Sequence, residues 1–227
     1  MRLMPLAPTV AAVLVSVAPA VAQPQPPAPA ITGRAQPPAA PAPPRPRGVQ
    51  VMTLDSPAWP DGGAIPLKHS QAGRDVSPAL SWSGAPDGVV SHVLLVRDLD
   101  AVAPATGEDT LHWLVWNIPG SATSLPEAVP QGNPPPPPPR FGGGTSQVPT
   151  DGPRQMSATG PNYRGPAAPA SGPPHHYVFE LFALDTWVDV PAVGQPPAAT
   201  RAAVVSAISG HLLGKAVRVG HFRRPPP

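Results

Sequence analysis

A chain of 227 residues with 41 prolines, 21 glycines and only 12% charged side chains has the length for one domain with appendages. Its formal net charge of +2, with arginines scattered along the chain, excludes the basic, aromatic-interleaved stripe of a nucleic-acid-binding surface. The absence of cysteine from the sequence excludes disulfides, thiolate zinc sites and a lipid-modified cysteine.

Arg2 precedes an apolar run from Leu3 to Val17, and Ala20-Val21-Ala22 follows with small residues. That order of charged, apolar and small-residue regions predicts a secretory signal peptide over 1–22, cleaved after Ala22. The run is short for a bilayer span and is broken by Pro5, Pro8 and Pro19, which argues against a retained anchor. The mature chain is therefore expected to be periplasmic or secreted in a bacterium, with no stable membrane insertion. Residues 23–48 are a proline-rich linker, extended and unable to pack a core. A domain over 49–224 follows, with 225–227 as a tail.

Within the domain, strands are predicted at Val49–Leu54 and Ile65–His69, around the turn Pro60-Asp61-Gly62-Gly63. The stretch Ser77–Trp82, the turn Ala85–Gly88 and the strand Ser91–Asp98 come next. Leu111–Ile118 sets Leu114 and Trp116 on one face and Trp113 and Val115 on the other, the mark of a strand buried on both sides. Residues 133–160, with six consecutive prolines, read as a low-complexity insertion. Tyr177–Leu184 is a further strand. A late helix is predicted over Thr200–Leu213, with Thr200 as N-cap, Val204, Ile208 and Leu212 on one face, and Gly214 as its stop. Lys215–Phe222 closes the domain as a strand. Many strands with one late helix predict a mainly β domain.

Chemistry-bearing residues gather at strand ends. Asp98 and Asp100 stand at i and i+2 and would share a face if strand geometry persists. His112 opens the next strand. His175 and Tyr177 form another i, i+2 pair, with His176 on the opposite parity, and Tyr163-Arg164-Gly165-Pro166 supplies a loop able to bring backbone N–H groups near a ligand. Residue type alone leaves three explanations open: a metal site, an acid/base pair and an anion pocket. Turn capping by Asp100 and a core role for Tyr177 are the bland alternatives.

Five motifs in order, VSPALSW (76–82), RDLDA (97–101), HWLVWNIP (112–119), YRGPAAP (163–169) and HHYVFELFAL (175–184), together resemble the phosphatidylethanolamine-binding protein family, in particular its bacterial Raf-kinase-inhibitor-like branch. The resemblance implies a β-sandwich-like domain with a small pocket for phosphate-like anions, phospholipid head groups included. It implies ligand-binding roles for Asp98, Asp100, His112, Gly165, His175 and Tyr177, with no cofactor, no metal and no catalytic residue. The sequence departs from the family's Asp-Pro-Asp-Ala-Pro turn, where Leu99 and Val102 replace both prolines, and from its later His-Arg-Tyr, where the arginine is His176.

The expected ligand is a small anion, held by His112 and His175 as principal donors, with Asp98 orienting one of them and Tyr177 and loop amides as neutral donors. One alternative is a protein-interaction or protease-inhibitor module with an envelope partner, its proline-rich tracts read as polyproline helices. The other is a metal-dependent hydrolase using Asp98, Asp100, His112 and His175. No G-x-S-x-G elbow or P-loop accompanies these residues. The chain is expected not to be an enzyme.

Overall fold

In a computed structural model, which describes residues 48–104, 106–133 and 152–226, the apolar runs at 91–98, 111–118 and 177–184 lie side by side. The signal peptide over 1–22, the linker up to residue 47, residues 134–151 of the insertion and the last residue of the tail lie outside the described residues.

The strands are β1 (Gln50–Val51), β2 (Thr53–Asp55), β3 (Gly63–Ala64), β4 (Leu80–Ser83) and β5 (Ser91–Val102). They continue with β6 (Asp109–Pro119), β7 (Ser124–Leu125), β8 (Arg154–Met156), β9 (His175–Leu184) and, after the helix α1 (Pro197–Ala207), β10 (Leu212–Phe222). One sheet runs β1-β10-β9-β5-β6-β8, with β3 also pairing β10; β1 and β3 are parallel to β10 and every other pairing is antiparallel. The second sheet is β2-β4-β7. The domain is mainly β with one α-helix among the described residues, as the sequence predicts. No described helix is long and apolar enough to cross a membrane.

Strand alternation divides the core in two. Leu94, Val96, Trp113, Val115, Phe179 and Leu181 pack against Leu54, Leu80, Trp82 and Leu125 of the smaller sheet. Their neighbours Val93, Leu95, Leu114, Trp116 and Phe182 face the other way, toward Val204 and Ile208. The division of Leu114 and Trp116 from Trp113 and Val115 is the one read from sequence. Burying a large apolar side chain contributes about 1.5–3 kcal/mol, so both layers stabilise the central strands.

The pairing of β5 with β6 slips three times, the last slip lying between Asp98 and Val102. Val96 pairs with Trp113 and Arg97 with Leu111, which leaves His112 as the extra residue of a β-bulge. A second slip lies between His92 and Leu94, where Asn117 takes φ +60° and its side chain exchanges hydrogen bonds with the backbone of Val188.

Four expectations are corrected. Ile65–His69 is not a strand: after β3 the chain enters a 3-10 turn at Leu67–His69, because Pro66 has no N–H for a ladder and its carbonyl receives the His69 amide. The helix starts three residues before Thr200, since Pro197 at its first position needs no donor. Gly210, at φ +84°, makes the left-handed turn after it, and Leu212 already belongs to β10. Gly214 serves close packing instead: a Cβ there would stand 2.7 Å from Met52 Sδ. Finally, residues 154–156 inside the predicted insertion form the edge strand β8. Gln155 accepts the Trp113 indole N–H at 2.9 Å and donates to the carbonyls of Pro130 and Gly132 at 2.6 and 2.7 Å. The residues flanking the undescribed segment are thus tied to each other and to the sheet.

Candidate functional site

At the Asp98 end of the central strands, β5 and β9 place Asp98 opposite Tyr177, and β6 places Thr110 opposite Asp98. The bulge brings His112 into the same cluster: its ring meets Tyr177 edge-on at 5.1 Å, while the His175 ring lies nearly parallel to Tyr177 at 6.5 Å. His175 and Tyr177 therefore project together, as their i, i+2 spacing predicts.

Asp98 is the centre of this arrangement and is 2% exposed. Its Oδ1 accepts the amide N–H of Asp100 at 2.9 Å and of Ala101 at 3.1 Å, and its Oδ2 lies 2.8 Å from His175 Nδ1. The two amide bonds fold residues 99–101 into a turn held by the side chain, the local Asx geometry that aspartate favours. Leu99 and Val102, where the resemblance leads one to expect prolines, are half exposed on this turn. The carboxylate does the shaping that the prolines would otherwise assist.

The turn also separates the two aspartates, against the expectation of a shared face. Asp100 is exposed and accepts from the backbone N–H of His176 at 2.6 Å, with the His176 ring at 2.8 Å. These bonds, the backbone one first, hold its carboxyl below the usual aspartate range. The exposed His176 ring in turn meets His221 edge-on at 4.6 Å.

His112 and His175 have different environments. His112 is 3% exposed, and its Nδ1 lies 2.7 Å from the Arg164 carbonyl. Burial is the main cause of a pKa below the ordinary 6.5, only partly opposed by that carbonyl and by the charge of Asp98. His112 is therefore a neutral imidazole at neutral pH, with Nδ1–H donating to Arg164 and Nε2 as the lone-pair nitrogen. In that form the ring offers an acceptor at Nε2, where the sequence led to the expectation of a donor. The His175 side chain, at 21% exposure, reaches solvent while its Asp98 partner does not.

Tyr177 is fully buried and its hydroxyl is committed. The N–H groups of Ala167 and Ala168 donate to it at 3.3 and 3.2 Å, and it is hydrogen-bonded to Asp98. Burial first, then Asp98, pushes its pKa well above the ordinary 10. It supports Asp98; it is not the free donor that sequence reasoning assigned.

Gly165 acts by shape. Its N–H is donated to Asp75 Oδ1 at 2.6 Å, and a Cβ on it would fall 2.1 Å from the His69 carbonyl oxygen. No other residue type lets this loop approach so closely. Gln71 donates to the Gly165 carbonyl at 2.7 Å, and the buried Tyr163 hydroxyl donates to the His69 carbonyl at 2.8 Å. Sequence reasoning missed Asp75, Gln71 and His69. The one signal was Asp75 after Gly73-Arg74 at the head of VSPALSW: it takes φ +54°, a conformation aspartate tolerates better than most residues.

The chain is similar to known proteins over most of the described domain. Residues 55–223 match the model of the family described as phosphatidylethanolamine-binding protein. A UPF0098 protein of Methanothermobacter thermautotrophicus is 35% identical over 173 residues, spanning 76% of this chain and 99% of its own length. A Mycobacterium tuberculosis protein named as a candidate lipoprotein, LppC, is 35% identical over 75% of this chain and 72% of its own length. Among solved structures, a phosphatidylethanolamine-binding protein homologue from Chlamydia trachomatis is 27% identical, with a TM-score of 0.58, over 77% of this chain and 99% of that one. YbcL of E. coli, described as a member of the mammalian PEBP family, is 25% identical with a TM-score of 0.58, over 76% of this chain and 98% of that one.

Proposed function

The chain belongs to the phosphatidylethanolamine-binding protein family, and from that membership we propose an exported protein that binds a small anion at the Asp98–His175 pair. The anion is inorganic phosphate or the phosphate of a phospholipid head group. The observation that carries this reading is the 2.8 Å separation between a buried Asp98 Oδ2 and the Nδ1 of a solvent-reaching His175.

With Nδ1–H engaged by Asp98, the neutral His175 ring offers only a lone pair at Nε2, and the protonated ring offers an N–H. An anion therefore prefers the imidazolium, whose charge Asp98 balances from behind. His112, neutral and edge-on to Tyr177, supplies an acceptor suited to a protonated phosphate oxygen. Export is supported by the charged, apolar and small-residue order of residues 1–22 and by the likeness to LppC.

The cluster favours binding over catalysis. Both Asp98 oxygens, the Tyr177 hydroxyl and His112 Nδ1 are occupied in holding the turn and the 163–168 loop. Asp100 pairs with His176 instead of joining Asp98 and His175, so the ligand set proposed for a metal-dependent hydrolase is divided. Calorimetric titration with phosphoethanolamine from about pH 5.5 to 8.5 tests the reading, across the range in which imidazoles titrate. Affinity falls with rising pH if His175 donates; a flat profile removes the imidazolium from the site.

A further inference from the structure

On the face of the large sheet opposite the Asp98 cluster, a cavity of about 380 Å³ lies between α1 and strands β5, β6, β9 and β10. From the helix, Arg201, Val204 and Val205 line it. Val93, Leu95, Phe182, Val204 and Ile208 give the cavity apolar walls, and the exposed Val205 and Ser209 stand at its opening.

Its charged edge is unequal. Arg97 pairs with Glu180 at 2.8 Å and Asp109 at 2.9 Å, Arg201 pairs with Asp109, and Lys215 pairs with Glu180 at 2.6 Å. Three cations meet two carboxylates, which leaves one positive charge in excess. Arg201 lines the cavity and commits two of its five N–H groups to Asp109.

We propose that this cavity is a second binding site, for a single-chain amphiphile with a carboxylate head, a medium-chain fatty acid. The acyl chain lies among the apolar walls and the carboxylate meets Arg201. One excess positive charge matches a singly charged head and disfavours both a cationic head and a dianionic phosphate. The volume is near the lower end of ligand pockets, which suits one chain and not two. This site does not depend on the anion reading, because Arg97 and Asp98 are consecutive in β5 and face opposite sides of the sheet.

Isothermal calorimetry and thermal melting of the full mature chain with decanoate, below its micelle concentration, test the proposal. The expected result is saturable one-to-one binding with a rise in Tm. Decanol binds roughly tenfold more weakly for want of a charge-assisted hydrogen bond, and decyltrimethylammonium does not bind. Ser209→Phe, a substitution at an exposed position, closes the opening and abolishes binding while circular dichroism stays native. Arg201→Gln erases the preference for decanoate over decanol, and His175→Ala, on the other face, binds decanoate as the wild-type chain does. Absence of saturable decanoate binding overturns the proposal. So does binding that survives Ser209→Phe, a preference that survives Arg201→Gln, or a loss in His175→Ala, which would move decanoate to the anion site.

Discussion

The carboxylate of Asp98 holds His175 at 2.8 Å with one oxygen and the amides of Asp100 and Ala101 with the other. A single buried group thus both orients the ring and folds the turn beside it. Asp98→Asn keeps the size and removes the charge that balances the imidazolium. Phosphoethanolamine affinity is expected to fall about tenfold or more, and stability by about 1–3 kcal/mol, as partners of a buried acceptor go unsatisfied. Calorimetry and urea denaturation of the same variant measure the two effects.

Gly165→Ala drives a methyl group to within 2.1 Å of the His69 carbonyl oxygen. Backbone cannot yield as a flexible side chain does, so the substitution is expected to cost roughly 1–3 kcal/mol and to lower Tm. Gly48→Ala, where a Cβ meets nothing within 4 Å, leaves Tm unchanged and serves as the control. Thermal melts of the two variants separate packing from composition.

Acid should weaken the domain before its carboxylates titrate. His69, His92 and His112 all have pKa values lowered from 6.5, chiefly by burial. The unfolded chain binds protons to these rings at a higher pH than the folded one. Their contribution to stability is therefore complete above about pH 6.5 and is lost as pH falls below it. Tyr163 and Tyr177 act in the opposite sense: their pKa values are raised by burial, so their contribution is lost as pH rises through about 10. Urea midpoints measured in steps across both ranges check the two signs.

Gln155→Leu leaves the Trp113 indole N–H and the Pro130 and Gly132 carbonyls without their partner. A loss of about 1–3 kcal/mol is expected, with the Trp113 indole signal shifted in the proton NMR spectrum. A variant as stable as the wild type would show that Gln155 does not anchor the residues flanking the insertion.

The central strands were legible because residues buried on both faces leave an unbroken apolar run, as Trp113–Trp116 does. The pairing of His175 with Tyr177 followed from the period of two. What failed was governed by events that leave no period. The bulge at His112 depends on how β5 pairs with β6, and the turn after Asp98 on that residue's own carboxylate, which sends Asp98 and Asp100 different ways. Gln155 was hidden inside a proline-rich tract, where composition outweighed a three-residue strand. The roles of Gly165 and Asp75 lay in one contact between loops 90 residues apart, which no local pattern records.

In the proposed complex His175 donates from Nε2 to the bound anion while His112 stays neutral. Nitrogen-15 NMR of the histidine side chains during titration with phosphoethanolamine reads both rings at once. The predicted result is that the His175 Nε2 resonance moves to the protonated-nitrogen region at saturation, with the His112 tautomer unchanged and the effect lost in Asp98→Asn. A saturating titration that leaves His175 Nε2 unmoved would contradict it.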